Sequence, residues 1–149
     1  MRKRSTPKYK LVDHLTTTYE AHVSFHDADP LGIVWHGNYV KFFEKGREAF
    51  GRKHGLDYGD IYNNGYSTPV VHLECDYKVS LRYGDVYRVV TSMVLAAGAK
   101  IILVYQIFNE SDILVCEGTT TQVFVNLDGE LALYSPDFYE IWKKKVNFK

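Results

Sequence analysis

Several things are scarce in this sequence, and each shortage removes a class of protein. Two cysteines, Cys75 and Cys116, occur in 149 residues. They are too few and too far apart for a disulfide framework or a zinc ribbon, and both are expected as small buried apolar side chains in a reducing compartment. Charge of one sign is missing too. Eighteen Lys and Arg offset 18 Asp and Glu, for a formal net charge of zero, so no bulk field draws the chain toward nucleic acid or an anionic membrane. A net charge near zero also leaves little electrostatic protection against self-association. No apolar run approaches the ~18 residues of a membrane span. The basic start, Met1-Arg2-Lys3-Arg4-Ser5-Thr6-Pro7-Lys8, lacks the apolar stretch of a secretory signal after it. It reads as part of a loose arm over residues 1–16, and the protein reads as cytoplasmic. Neither G-x-S-x-G nor G-x-x-x-x-G-K-[ST] occurs, which removes the usual hydrolase elbow and the P-loop.

What is present is enough for one globular domain over residues 1–149, with 46% hydrophobic and 24% charged side chains. From Tyr19 the pattern has period two: Tyr19, Ala21, Val23 and Phe25 against Glu20, His22, Ser24 and His26. That is a half-buried strand, closed by the Pro30 and Gly32 turn region. From Asn38 the period becomes 3.6. Tyr39, Phe42, Phe43, Gly46, Ala49 and Phe50 form one stripe, and Lys41, Glu44, Lys45, Arg47, Glu48 and Arg52 face away. Asn38 is a candidate N-cap and Gly55 a candidate stop. Gly46 in mid-stripe lowers helix propensity, so it marks close packing against a sheet.

A connection over residues 57–65 leads into strands: Val71 to Val79, Val86 to Leu95, Ile101 to Phe108 and Ile113 to Val125. The turns between them are short, so these strands are expected to be antiparallel neighbours. Ser135-Pro136-Asp137 opens a short terminal helix reaching about Lys145. The helix stripe has no partner except a sheet face. The expected class is α+β, a curved antiparallel sheet of about five strands around one long helix.

The chemistry concentrates in Asp27-Ala28-Asp29-Pro30-Leu31-Gly32-Ile33-Val34-Trp35-His36-Gly37-Asn38-Tyr39. This run of D-x-D-x-x-G-I-V-W-H-x-N-Y, between a first strand and a long helix, resembles the 4-hydroxybenzoyl-CoA thioesterase family of hot-dog proteins. It is especially similar to the bacterial acyl-CoA thioesterases associated with the Tol–Pal system, over roughly residues 17–126. The resemblance implies a hot-dog fold and hydrolysis of an acyl-CoA substrate. It also implies that Asp29 is the catalytic carboxylate, and that His36 sits where a backbone N–H polarises the thioester carbonyl. Active sites of this family lie between two subunits, so a homodimer, commonly paired again into a tetramer, is implied as well. Two positions depart from the pattern, Ala28 before the carboxylate and His22 seven residues ahead of it. They bear on subfamily and substrate and leave the carboxylate untouched.

The residues themselves agree with that chemistry. A thiolate leaves readily, so a thioester needs an attacking oxygen and an oxyanion stabiliser, with no metal or other cofactor. A carboxylate can act as general base for water, or attack directly to give a mixed anhydride. A helix start at His36-Gly37-Asn38 offers unpaired N–H groups and a positive dipole end. Gly37 allows close approach of backbone and ligand. Asp27 reads as a turn former, and the His36 side chain as catalytic or as a plain helix-start residue. Trp35 and Tyr39 line the core or the acyl pocket. Arg82 either reaches a CoA phosphate or is a solvated loop cation. Glu44 and Glu48 are expected as surface charges paired with Arg47 and Arg52. Two other readings stand beside the CoA enzyme: a thioesterase acting on an acyl-carrier protein, and a non-catalytic acyl-thioester binding module.

Overall fold

The computed structural model describes residues 9–149; the basic segment 1–8 lies outside the described residues. The first strand, β1, spans Leu11–His22. It begins well before Tyr19, because Val12 and Leu15 are fully buried and its pairing starts at Leu11 opposite Val94. Residues 11–16 therefore belong to the sheet and not to a loose arm. A 3-10 turn at Phe25–Asp27 ends the strand run, and Phe25, expected to follow Val23 inward, is 80% exposed.

The long helix α1 runs Asn38–His54, its N-cap is Gly37 rather than Asn38, and Gly55 ends it in the left-handed region (φ 73°). A second helix, α2 (Tyr58–Asn63), occupies the segment read from sequence as a plain connection. Its signal is the pair Asp57 and Asp60, each carboxylate accepting the other's backbone N–H at 3.0 and 2.8 Å, with Ile61 buried beneath. Strands β2 (Tyr66–Ser67), β3 (Val70–Tyr77), β4 (Val86–Val94), β5 (Lys100–Asn109), β6 (Leu114–Val123) and β7 (Val125–Asn126) follow. The terminal helix α3 (Asp137–Lys145) has Pro136 at its N-cap.

The main sheet has the order β1-β4-β5-β6-β3, all antiparallel, and β2 pairs with β7 in a small second sheet. Strands β4, β5 and β6 are the expected meander. Strand β3 is not β4's neighbour. It lies at the far edge on β6, so residues 78–85 carry the chain back across the sheet. Three strand spacings are about 14 Å, and eight extended residues reach about 26 Å, so the crossing is well within range. The crossing segment is tied down by Val34 N–H on the Leu81 carbonyl (2.8 Å), by Leu81 N–H on the Tyr39 hydroxyl (3.1 Å) and by an Ile33–Arg82 bridge. It thereby becomes a wall beside the start of α1.

The apolar stripe of α1 packs on the sheet as its period required. Phe42 stacks on Tyr87 (4.2 Å between ring centroids) and Phe43 on Tyr105 (4.7 Å), pairs that contribute about 0.5–1.5 kcal/mol each beyond their burial. Gly46 lies against β4 so closely that an added Cβ would sit 2.5 Å from Thr91 Oγ1. On the outer face, Arg47 bonds Glu44 and Arg52 bonds Glu48, as expected of surface pairs. The two cysteines, remote in sequence, meet across β3 and β6 with their sulfurs 3.4 Å apart, both free.

Candidate active site

The Asp27–Asn38 segment folds into a hairpin whose two arms are zipped together. Asp29 N–H donates to the Ile33 carbonyl (2.8 Å), Ala28 bridges Val34, and Trp35 N–H donates to the Asp27 carbonyl (3.0 Å). Gly32 closes the tip, with its N–H on the Asp29 carbonyl (2.9 Å) and φ at +79°. Only a residue without Cβ takes that conformation freely. The motif glycine is thus a turn requirement, and the hairpin joins Asp29 to the first turn of α1.

The two acids of the motif separate cleanly. Asp27 is buried, and its carboxylate accepts Ser24 N–H at 2.9 Å, capping its own 3-10 turn. It is committed to structure, as the turn-former reading had it. Asp29 is half-buried. One carboxylate oxygen accepts Leu31 N–H at 2.8 Å, and the other has no hydrogen-bond partner among the described residues. That leaves one oxygen oriented and one available.

At the helix start, Asn38 N–H donates to the Trp35 carbonyl (2.9 Å), whereas the His36 and Gly37 N–H groups find no partner among the described residues. Unpartnered donors at a positive helix end are the kind of group that can stabilise an anion. Asn38 itself is buried, and its side-chain amide is spent on the Asp27 carbonyl (2.9 Å). It locks hairpin to helix from below. Tyr39 is core, its hydroxyl accepting from Leu81, and burial pushes its phenol above the ordinary range.

Trp35 is 49% exposed and tilts against the His36 ring. Its indole also covers Gly37, where an added Cβ would come within 2.2 Å of the ring. The space that Gly37 leaves is therefore filled by Trp35, where the sequence suggested a ligand. Arg82 reaches the same hairpin, its guanidinium 4.0 Å from where a Gly32 Cβ would be, and it makes no ion pair among the described residues.

Sequence reasoning missed Tyr77. It comes from β3, 41 residues away, and its hydroxyl donates to the His36 carbonyl at 2.8 Å. Its ring meets His36 and Tyr39 edge-on, at 6.3 and 5.4 Å. Partial desolvation, reinforced by Cys75, pushes its pKa up to about 12. In sequence Tyr77 is one more alternating strand residue.

A cavity of about 830 Å³ lies elsewhere, between the outer face of α1, α2 and the start of β3, with Glu44, Arg47, Tyr58, Val70, Leu103 and Gln122 among its walls. None of the motif residues lines it.

The model of the Thioesterase-like superfamily matches residues 23–142. The chain belongs to that superfamily. Its relatives include the putative acyl-CoA thioesterase YneP of Bacillus subtilis, 30% identical over 129 residues, covering 84% of this chain and 94% of that protein. A putative esterase of Aquifex aeolicus is also 30% identical, over 84% of this chain and 96% of its own length. Among solved structures, the DHNA-CoA thioesterase from Staphylococcus aureus superposes with a TM-score of 0.78 at 29% identity, covering 89% of this chain and 91% of that one. In this Thioesterase-like protein the sheet wrapped around α1 is the hot-dog fold that the motif implied.

Proposed function

We propose that this Thioesterase-like protein hydrolyses an acyl-CoA thioester to a carboxylic acid and CoA, with Asp29 as the reacting carboxylate. The observation that carries the reading is the pairing of a half-pinned Asp29 carboxylate with two unspent N–H groups on the same hairpin-to-helix unit. The names of the relatives, an acyl-CoA thioesterase and a DHNA-CoA thioesterase, support the same substrate class. As the thioester carbonyl becomes tetrahedral, its oxygen gains charge, and the His36 and Gly37 N–H groups stabilise it. Preorganised donors of this kind are commonly the largest catalytic contribution. The free Asp29 oxygen either takes the proton of an attacking water, or bonds the carbonyl carbon to give a mixed anhydride that water then cleaves. In both routes the C–S bond breaks and the thiolate leaves as CoA, taking up a proton. Arg82 and the exposed face of Trp35 are assigned to substrate binding.

Asp29→Asn should lower kcat at least ~10²-fold with KM largely retained. Near wild-type turnover would overturn the assignment. Asp27→Asn is the control, with the smaller effect on kcat, because its carboxylate serves the fold. In single-turnover hydrolysis in ¹⁸O-water, label in the Asp29 side chain identifies the anhydride route with water attacking the aspartyl carbonyl, whereas water attacking the acyl carbon directly labels the released acid.

The reading includes a homodimer. Strand β3 is a sheet edge whose side chains are nearly all exposed, Val71 at 59% and Leu73 at 39% among them, and an unpaired edge of this kind invites a second strand. Two-fold pairing along it would cover both edges and bring a second chain to each Asp29 hairpin. Mixing an Asp29→Asn chain with one carrying a disrupted groove wall, each inactive alone, should restore activity. A fully active monomer in sedimentation would refute shared sites. A cytoplasmic location completes the reading, where thiols such as Cys75 and Cys116 stay reduced. No helix of the described residues is long and apolar enough to cross a membrane.

A further inference from the structure

We propose that Tyr77 is a positioning residue for the oxyanion donors: its hydroxyl, bonded to the His36 carbonyl, holds the His36–Gly37 peptide in the plane that presents the Gly37 N–H, and beside it the His36 N–H, to the reacting thioester. This inference rests on the thioesterase reading of the site.

The geometry is that of the planar trans peptide, in which C=O and N–H lie on opposite edges of one rigid unit. No cis peptide occurs among the described residues. Gripping the carbonyl edge therefore aims the N–H edge. The Trp35–His36 peptide, which carries the His36 N–H, is gripped at its carbonyl by Asn38 N–H (2.9 Å). The next peptide, which carries the Gly37 N–H, is gripped at the His36 carbonyl by Tyr77 (2.8 Å), its one partner among the described residues. Both free donors are thus backed by a hydrogen bond on the opposite edge of their own peptide, one local and one from a distant strand.

Without Tyr77 the His36 carbonyl would have no hydrogen-bond partner among the described residues. His36 is exposed, and Gly37 lies at the N-cap, where no side chain caps the helix. A glycine peptide at a helix end is the place where backbone freedom is largest. Tyr77 in turn is well anchored. Its ring packs edge-on against Tyr39, and Tyr39 is held by Leu81 of the crossing segment. The donors of the hairpin are therefore oriented by β3, the strand at the opposite end of the sheet from β1.

A purely structural role fits poorly with Tyr77's surroundings. Its packing on His36 and Tyr39 is made by the ring, so removing the hydroxyl alone opens no cavity in the core. Deleting a whole oxyanion donor costs about 10²–10³-fold in kcat, and loosening the aim of one should cost less, about tenfold.

The test is Tyr77→Phe, which keeps the ring and removes only the hydroxyl. We expect kcat for acyl-CoA hydrolysis to fall about tenfold with KM within about twofold, since the donors act on the transition state. The thermal midpoint should stay within about 2 °C. The ¹⁵N order parameter of the Gly37 amide should fall, while that of Gly55, at the other end of α1, stays as in the wild type. Unchanged kcat, an equally ordered Gly37 amide, or a kcat loss accompanied by a large fall in thermal midpoint would each overturn the proposal. Wild-type protein inactive on every acyl-CoA would sink the thioesterase reading instead, and the Gly37 amide would still decide the role of Tyr77.

Discussion

Replacing Gly46 by alanine sets two opposing effects against each other, and the structure decides which is larger. Glycine inside a helix costs about 1 kcal/mol relative to alanine, so helix propensity alone makes Gly46→Ala stabilising. The new Cβ, however, would lie 2.5 Å from Thr91 Oγ1 and 2.7 Å from Val89 Cγ1. Unstrained carbon contacts sit near 3.5–4.0 Å, so the shortfall is about 1 Å. Neither neighbour can yield cheaply. Both are fully buried on β4, a strand flanked by β1 and β5, and both are β-branched with stiff side-chain torsions. Helix α1 must then lift off the sheet or β4 must bend, and overpacking of this kind costs about 1–3 kcal/mol. With two rigid neighbours struck at once the upper half of that range applies, leaving a net loss of about 1–2 kcal/mol. For a chain of this size that lowers the thermal midpoint by about 2–8 °C. Thermal melts followed by circular dichroism, with a urea titration of unchanged slope, measure it. Val89→Ala in the same chain should recover part of the loss, with a coupling of about 0.5–3 kcal/mol. A Gly46→Ala protein as stable as the wild type, or more so, would refute the close-packing argument.

Gly37→Ala meets a different obstacle, the half-exposed Trp35 indole, which can swing into solvent. Stability should change by less than about 1 kcal/mol, while tryptophan fluorescence, with only Trp35 and Trp142 contributing, shifts toward that of a solvated indole. His54 makes part of the stability pH-dependent. Burial, the largest effect, holds its pKa below the ordinary 6.5, with Lys53 and His14 acting in the same direction and the Thr16 carbonyl opposing. The unfolded chain therefore takes the proton first. The contribution is complete above pH 6.5 and is lost as pH falls through the folded value. Between about pH 7.5 and 5.5 the thermal midpoint of His54→Gln should drop less than that of the wild type, and an equal drop would refute the assignment.

How much of this molecule the sequence determined by itself follows from what a local pattern can record. Period two and period 3.6 report which side of an element is apolar, so the meander of β4, β5 and β6 and the inward stripe of α1 were legible. Gly46 was legible too, because a glycine in a helical apolar stripe has few other uses. Asp27 was legible as a turn residue from ordinary turn chemistry.

Pairing is another matter. Nothing in residues 70–77 says that their partner is β6 rather than β4. A short connection resembles a hairpin turn until the curved sheet and the start of α1 give it a path across. That single long-range choice carried several features out of reach of the sequence. It placed Tyr77 on the His36 carbonyl, brought Cys75 to Cys116, set Arg82 beside the Asp29 hairpin, and left β3 as an open edge. The roles of Asn38 and Gly37 changed for the same reason. A polar residue at a helix start reads as a cap, and a glycine there as room for a ligand. Only the folded hairpin spends the Asn38 amide on Asp27 and fills the Gly37 gap with Trp35. Local periodicity fixed which faces of α1 and of β4, β5 and β6 are buried, but neither the exposure of Phe25 nor that of β3. The contacts that aim the site come from residues dozens of positions apart, and their meeting is decided by the packing of the whole sheet around α1.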